Sequence, residues 1–137
     1  MGATYTSAGG SAVVGEKDRV TYKPQGAVVS SPGSGKTTTV YIPITNPSTQ
    51  QDPLTKVSVE CKGTAASATD LVVYFGNTSA YSDTVPNGSQ DFDLVPNKFQ
   101  LQADAKPYGI DVSMDVSFTS DTGTFEIYSV TLQFGSP

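Results

Sequence analysis

The sequence contains no histidine and no tryptophan, and it has only one cysteine among its 137 residues. Histidine is the usual proton carrier near neutral pH and a common zinc ligand. Its absence therefore excludes Ser-His-Asp and Cys-His nucleophile systems and most zinc sites. A single cysteine excludes an intrachain disulfide. We expect a protein that is not an enzyme, in which Cys61 is a small buried hydrophobic side chain.

Charged side chains are also scarce, at 15% of the chain, and the formal net charge is −5. This balance lacks the cations that neutralise phosphate groups, so we expect no binding to nucleic acid. The charge is uneven, because residues 1–69 hold six cations and four anions, whereas residues 70–137 hold two cations and nine anions. Such a distribution either orients head-to-tail contacts between copies or gives one solvated acidic face.

No apolar run reaches the roughly 18 residues of a membrane helix, so we expect no membrane span. The sequence also lacks a charged start followed by an apolar segment, which is the pattern of a secretory signal. Segments that begin at Asn77 and Asn87 fit the N-glycosylation pattern. We expect a location outside the cell or on the surface of a particle.

The residues that are abundant are typical of strands and turns. The chain has 13 glycines, nine prolines and a hydrophobic fraction of 36%, and no window follows the helical period. Short apolar runs between turn residues predict an all-β, single-domain antiparallel β-sandwich of about eight to ten strands, with a closed β-barrel as the alternative. Residues 1–17 are predicted to be a flexible N-terminal arm or edge strand, and residues 18–137 the sandwich domain.

Three internal segments have distinct strand patterns. Residues 36–45 predict a strand in which Pro43, which cannot donate a ladder hydrogen bond, indicates an edge position or a bulge. Residues 54–62 alternate apolar and polar side chains and predict a half-exposed strand. The continuous apolar run of residues 71–75 predicts a central strand that is covered on both faces.

The C-terminal region predicts a β-hairpin. Residues 110–118 and 125–134 both alternate, a turn sequence lies between them, and the parity changes near Tyr128. One extra residue near Tyr128 and Ser129, a β-bulge, restores the apolar side chains to one face. The predicted register pairs apolar residues throughout: Phe118 with Phe125, Val116 with Ile127, Met114 with Val130, and Val112 with Leu132.

Residues 32–37 (PGSGKT) partly match a phosphate-binding P-loop. Ser30 occupies the position of the first glycine of that motif, and the residues that follow favour a strand where a P-loop needs a helix. We therefore expect no nucleotide binding.

Carboxylates are the remaining groups that carry chemistry. Asp91 with Asp93, and Asp111 with Asp115, share strand faces and are interpreted as a solubilising exterior, with a catalytic pair as the alternative. We expect no cofactor. Calcium is the one ion that a chain without histidine still suits, although no spacing resembles an ordered calcium loop. The candidate ligands lie in or beside predicted loops: Asp83, Asp91, Asp93 and Asp121.

Glycan binding is the small-ligand role that fits best, because β-sandwiches present aromatic rings that stack on sugars. Since tryptophan is absent, tyrosines are the candidates: Tyr22, Tyr41, Tyr74, Tyr81, Tyr108 and Tyr128. Among them, Tyr41, Tyr81 and Tyr108 are the predicted ligand-stacking residues. A carbohydrate-binding module, assisted by calcium or not, is the alternative interpretation of the chain.

The leading interpretation is a structural or interaction protein. Residues 1–17 have too few apolar side chains to fold alone, with Tyr5, Val13 and Val14 as anchors. We predict that this assembly arm pairs with an exposed edge strand of a neighbouring subunit and is disordered in the monomer. The protein would then be a homo-oligomer or polymer that self-associates or decorates a filament, surface layer or virion.

Two segments, Ala12-Val13-Val14-Gly15-Glu16-Lys17-Asp18-Arg19-Val20 and Val40-Tyr41-Ile42-Pro43-Ile44-Thr45-Asn46-Pro47, precede an alternating strand from Leu54. Together they resemble an uncharacterised family of small bacterial and fungal all-β domains. That family has no established activity. The resemblance therefore implies an all-β fold and nothing about mechanism.

Overall fold

The computed structural model describes residues 4–16, 19–45, 53–96 and 109–135. These residues form ten strands and a single 3-10 turn at Gly10–Ala12, with no α-helix among them. No helix in the described ranges is long and apolar enough to cross a membrane. The strands are β1 (Thr4–Gly9), β2 (Val20–Lys23), β3 (Gly26–Ser30), β4 (Thr37–Ile44), β5 (Leu54–Thr64), β6 (Ala66–Phe75), β7 (Thr78–Gly88), β8 (Gln90–Leu94), β9 (Ile110–Phe118) and β10 (Thr124–Phe134).

The strands form two antiparallel sheets. One sheet has six strands. Five of them lie in the order β2-β3-β10-β5-β8, and the sixth, β1, pairs with β10 beyond the end of β3. The other sheet has four strands in the order β4-β9-β6-β7. Over the described residues neither sheet closes on itself. The predicted β-sandwich is confirmed, and the barrel alternative is wrong.

The core lies between the inner faces of the two sheets, as the alternating patterns predict. Strand β9 buries every second residue, and β5 buries its apolar positions while its charged positions stay outside. Burying alternate residues of both sheets is the dominant stabilising term for such a thin, two-layer fold. The largest fully buried side chains are Tyr81, Phe75, Phe118, Phe125, Phe134, Ile42, Leu54, Leu71, Met114, Ile127, Leu132 and Val13.

The predicted C-terminal hairpin is wrong, although both of its strands exist. Strand β9 lies between β4 and β6 in one sheet, whereas β10 lies in the other sheet beside β5, β3 and β1. The turn between them therefore carries the chain across the core. Alternation fixes which face is buried, but it does not distinguish a partner in the same sheet from one in the opposite sheet. The bulge at Tyr128 is confirmed by a register shift between Ile127 and Ser129.

Two further strand predictions have definite outcomes. Strand β6 is central, but Val72 and Tyr74 on its outer face are only half-buried, so one face is covered and not both. Strand β4 is an edge strand of its sheet, as Pro43 indicated. The Tyr41 N–H and C=O point away from β9 to Val14, so the nitrogen of Pro43, two residues on, also points away from the ladder. The apolar residues Phe99 and Leu101 also predict a short strand, but they lie outside the described residues.

Candidate functional site

Two tyrosines, Tyr41 and Tyr74, lie on the outer face of the four-stranded sheet. Cross-strand pairing aligns Tyr41 of β4 with Ser113 of β9 and Val72 of β6, and a neighbouring row aligns Pro43, Asp111 and Tyr74. We call Tyr41, Pro43, Val72 and Tyr74 the platform. The Tyr41 side chain is 47% exposed, Pro43 is exposed, and the other two are half-buried. Such a surface offers apolar ring and methyl contacts edged by hydroxyl groups.

Asp111 lies within this surface and has an unfilled hydrogen-bonding capacity. Its Oδ1 atom is buried and has no hydrogen-bond partner in the described structure. Burial raises the pKa of its carboxyl group, against a smaller opposite effect of the Val112 backbone N–H. A buried carboxylate oxygen without a donor is costly and uncommon in folded proteins. The terminal torsion of aspartate is soft, so rotation of the carboxyl group would present this oxygen to a donor placed on the platform.

The neighbouring carboxylate is already satisfied. Thr39 donates its hydroxyl proton to Oδ1 of Asp115 at 2.7 Å. Asp111 and Asp115 lie four residues apart on an extended strand, which separates them by about 13 Å. Glycosidase carboxyl pairs lie roughly 5–9.5 Å apart. This spacing suits two independent hydrogen-bonding groups better than a catalytic pair.

Two clefts flank the platform. One, of about 340 Å³, is lined by Gly15, Glu16, Thr37, Thr38, Thr39 and Tyr41. The other, of about 350 Å³, is lined by Asp70, Leu71, Val72, Ser82, Asp83 and Thr84. Since Tyr41 belongs to the first cleft and Val72 to the second, the platform and both clefts form one continuous surface across the sheet.

The two sheets differ in charge. Strands β4, β6, β7 and β9 contain no lysine or arginine at all. Their outer faces carry Asp70, Asp111 and Asp115, whereas Lys23, Lys56 and Lys62 lie on strands of the six-stranded sheet. These four described strands therefore carry negative charge with no cation of their own, which disfavours anionic ligands.

The outer face of the six-stranded sheet also has a cleft, of about 420 Å³, beside Tyr128. Two of its lining residues are engaged within the protein: the Tyr128 hydroxyl donates to Glu126, which also pairs with Lys23 at 3.1 Å, and Glu60 accepts from the Ser129 hydroxyl. The Lys23 ammonium holds the pKa of the Glu126 carboxyl below its usual value. Among the described residues, this face has no buried side-chain nitrogen or oxygen without a hydrogen-bond partner, in contrast to Asp111.

The three predicted stacking residues, Tyr41, Tyr81 and Tyr108, have different outcomes. Tyr41 lies on the platform. Tyr81 is fully buried, and its hydroxyl donates to Oδ2 of Asp83 at 2.8 Å, so its predicted stacking role is wrong. A register shift after Val73 gives β7 an extra residue and turns Ala80 and Tyr81 inward together. Tyr108 lies outside the described residues.

The predicted assembly arm is bound to its own chain. Strand β1, which carries the exposed Tyr5, pairs with β10, because β3 covers only the first part of that strand and leaves the rest open. Val13 is fully buried, and Val14 is exposed but pairs through its backbone with Tyr41. Over residues 4–9 the predicted arm therefore corresponds to the edge-strand alternative, since the backbone groups of β1 have partners within the same chain.

Among the described residues, no group of three or more His, Cys, Asp or Glu is arranged to hold a metal ion. Three of the carboxylates predicted for calcium accept hydrogen bonds from the protein itself. Asp83 accepts from Tyr81, Asp91 from the backbone N–H of Cys61, and Asp121 from that of Ser34. Calcium binding stays a prediction.

Sequence reasoning assigned Asp111 to a solubilising exterior and missed its buried, unpartnered oxygen. It also gave Tyr74 no preference over the other tyrosines. The strand alternation of residues 110–118 does place Asp111 on an outer face, but only the register with Pro43 and Tyr74 shows what surrounds it. No signal in the sequence alone marks its oxygen as unpartnered.

No protein-family model matches the chain, and no curated protein sequence matches it. Solved structures that share the fold include a family 29 carbohydrate-binding module of Piromyces equi, at 13% identity over 99% of this chain and 93% of that one, with a TM-score of 0.57. A low-affinity xylan-binding module, CBM86, of Roseburia intestinalis is 16% identical over 95% of each chain, with a TM-score of 0.55. The xylan-binding module CBM15 is 18% identical over 96% of this chain and 90% of that one, with a TM-score of 0.50. The chain is thus similar in fold to several carbohydrate-binding modules.

Proposed function

We propose that the protein is a non-catalytic carbohydrate-binding module whose glycan site is the platform with Asp111. The single observation that carries this proposal is the buried, unpartnered Oδ1 of Asp111 between Pro43 and Tyr74. A sugar hydroxyl is a neutral donor of the kind that this oxygen lacks. The similarity in fold to carbohydrate-binding modules supports the same class of ligand.

The platform supplies the two kinds of contact that a glycan needs. The rings of Tyr41 and Tyr74 offer flat apolar surfaces for the faces of sugar rings, and the hydroxyls of Thr39 and Ser113 lie in adjacent positions for polar contacts. The four strands that form this surface carry no lysine or arginine to attract a carboxylate or sulfate group. We therefore propose a neutral glycan as the ligand, and xylan and β-1,4-galactan as the first probes.

Isothermal titration of the purified protein with xylohexaose and β-1,4-galactohexaose tests the proposal. Tyr41→Ala is expected to lower the affinity at least about tenfold, since it removes the most exposed ring of the platform. The matched control is Tyr5→Ala, because Tyr5 is a more exposed tyrosine, at 63%, on a strand of the other sheet. Equal loss of binding in both variants, or binding to neither probe, contradicts the proposal.

A further inference from the structure

The N-terminal segment of residues 13–16 connects the two sheets at their open edge. Upstream of it, β1 pairs with β10 of the six-stranded sheet. At Val14 the chain reaches the edge of the four-stranded sheet, where its N–H donates to the Tyr41 C=O at 2.8 Å and its C=O accepts from the Tyr41 N–H at 2.7 Å. The segment is therefore joined directly to a platform residue.

Close packing holds this segment in place. The Val13 side chain is fully buried in the core, and the Tyr22 hydroxyl donates to the Val13 C=O at 2.5 Å. Gly15 lies so close to the sheet that a Cβ atom there would be 2.5 Å from Cγ2 of Val20 and 3.3 Å from Cγ1 of Val40. Only glycine allows this approach without displacing core side chains.

Beyond Val14, the segment forms one wall of the cleft that continues the platform. Glu16 lies on that wall, while Thr37, Thr39 and Tyr41 of β4 lie on the other side. The Glu16 carboxylate is exposed and only loosely held, since Oε2 is 3.5 Å from the Thr38 hydroxyl and 3.9 Å from Nε of Arg19. The hydroxyls of Thr37 and Thr39 bond to Ser117 and Asp115, and their oxygens retain acceptor capacity.

We infer that this cleft is a second sugar subsite, and that the N-terminal segment is its outer wall, with Glu16 accepting hydrogen bonds from sugar hydroxyls. The inference rests on the proposed function. A chain seated on Asp111 and Tyr41 passes along β4 toward Thr39 and Thr37, because these outer-face residues follow one another at every second position. Short oligosaccharides fill the platform alone, and longer ones reach Glu16.

Titrations of xylobiose and xylohexaose, or of the matching β-1,4-galacto-oligosaccharides if these bind more tightly, separate the subsite from the platform. The wild-type protein is expected to bind the longer sugar more tightly. Glu16→Ala is expected to leave the affinity for the disaccharide unchanged and to lower that for the hexasaccharide about three- to tenfold. Asp111→Asn is expected to weaken both. The matched control is Glu60→Ala, which removes an exposed glutamate from the other sheet.

Each outcome decides one of the two proposals. If Glu16→Ala leaves both affinities unchanged while Asp111→Asn weakens both, the subsite is refuted and the glycan site stands. If Glu16→Ala weakens both sugars equally, Glu16 belongs to the platform site and the separate subsite is refuted. If the wild-type protein binds none of these sugars, the proposed function fails and the subsite fails with it.

Discussion

Replacing Asp111 by asparagine should stabilise the free protein while weakening the bound state. The substitution preserves the shape of the side chain but removes a charge whose Oδ1 is buried without a partner. An uncharged amide costs less to bury than a carboxylate. In the free protein Oδ1 of Asp111 has no hydrogen-bond donor, and in the proposed complex the ligand supplies one. The substitution should therefore raise the stability of the free protein and lower its affinity for the ligand.

The expected gain in the free energy of unfolding is about 1 kcal/mol at neutral pH. The gain is small because the asparagine amide also leaves an unpartnered polar group at this position, so only the extra cost of the charge is removed, and because the side chain as a whole is only half-buried. Burial raises the pKa of Asp111 in the folded protein above the ordinary value of 3.8. At pH values between the ordinary pKa of the unfolded chain and the raised pKa of the folded protein, the folded state binds more protons than the unfolded state. The contribution of Asp111 to stability therefore falls as the pH rises through that window.

Urea denaturation of the wild-type protein and of Asp111→Asn at several pH values between acid and neutral measures this effect. The two proteins should have similar stabilities below the ordinary aspartate pKa, and the variant should become the more stable one as the pH rises. Asp115→Asn is the control, because the Asp115 carboxylate already accepts the Thr39 hydroxyl proton and its substitution should not stabilise. A variant at position 111 that is less stable than the wild type at neutral pH refutes the reasoning.

Three further outcomes are expected. Val13→Ala should lower the free energy of unfolding by about 2 kcal/mol, because Val13 is fully buried. Val14→Ala, at the exposed neighbour, should change it by less than about 0.5 kcal/mol. Equal effects of the two substitutions in urea denaturation would show that the segment is not packed into the core. Burial raises the pKa of the Cys61 thiol to about 12, so a thiol reagent at mildly alkaline pH should modify it only after unfolding; fast labelling of the native protein would contradict its burial. The protein should be a monomer by light scattering at high and low salt, since β1 pairs within its own chain; a dimer or larger assembly would favour the self-association hypothesis.

The sequence by itself determined the features that depend on short-range geometry. The period of two along residues 110–118 defined which side chains β9 buries, and the change of parity near Tyr128 identified the bulge in β10. The missing N–H of Pro43 identified an edge strand. Each of these follows from the backbone of one strand, in which alternate residues face opposite sides whatever the partner is.

Only the tertiary structure decided the features that depend on which strands meet. Strands β9 and β10 look like hairpin partners because both bury alternate apolar residues, yet they belong to opposite sheets. Tyr81 is buried because an extra residue in β7 turns it inward, and Asp111, whose Oδ1 is buried without a partner, lies between Pro43 and Tyr74 across the sheet. Residues far apart in sequence make these contacts, and a local pattern carries no information about which distant strand lies beside it.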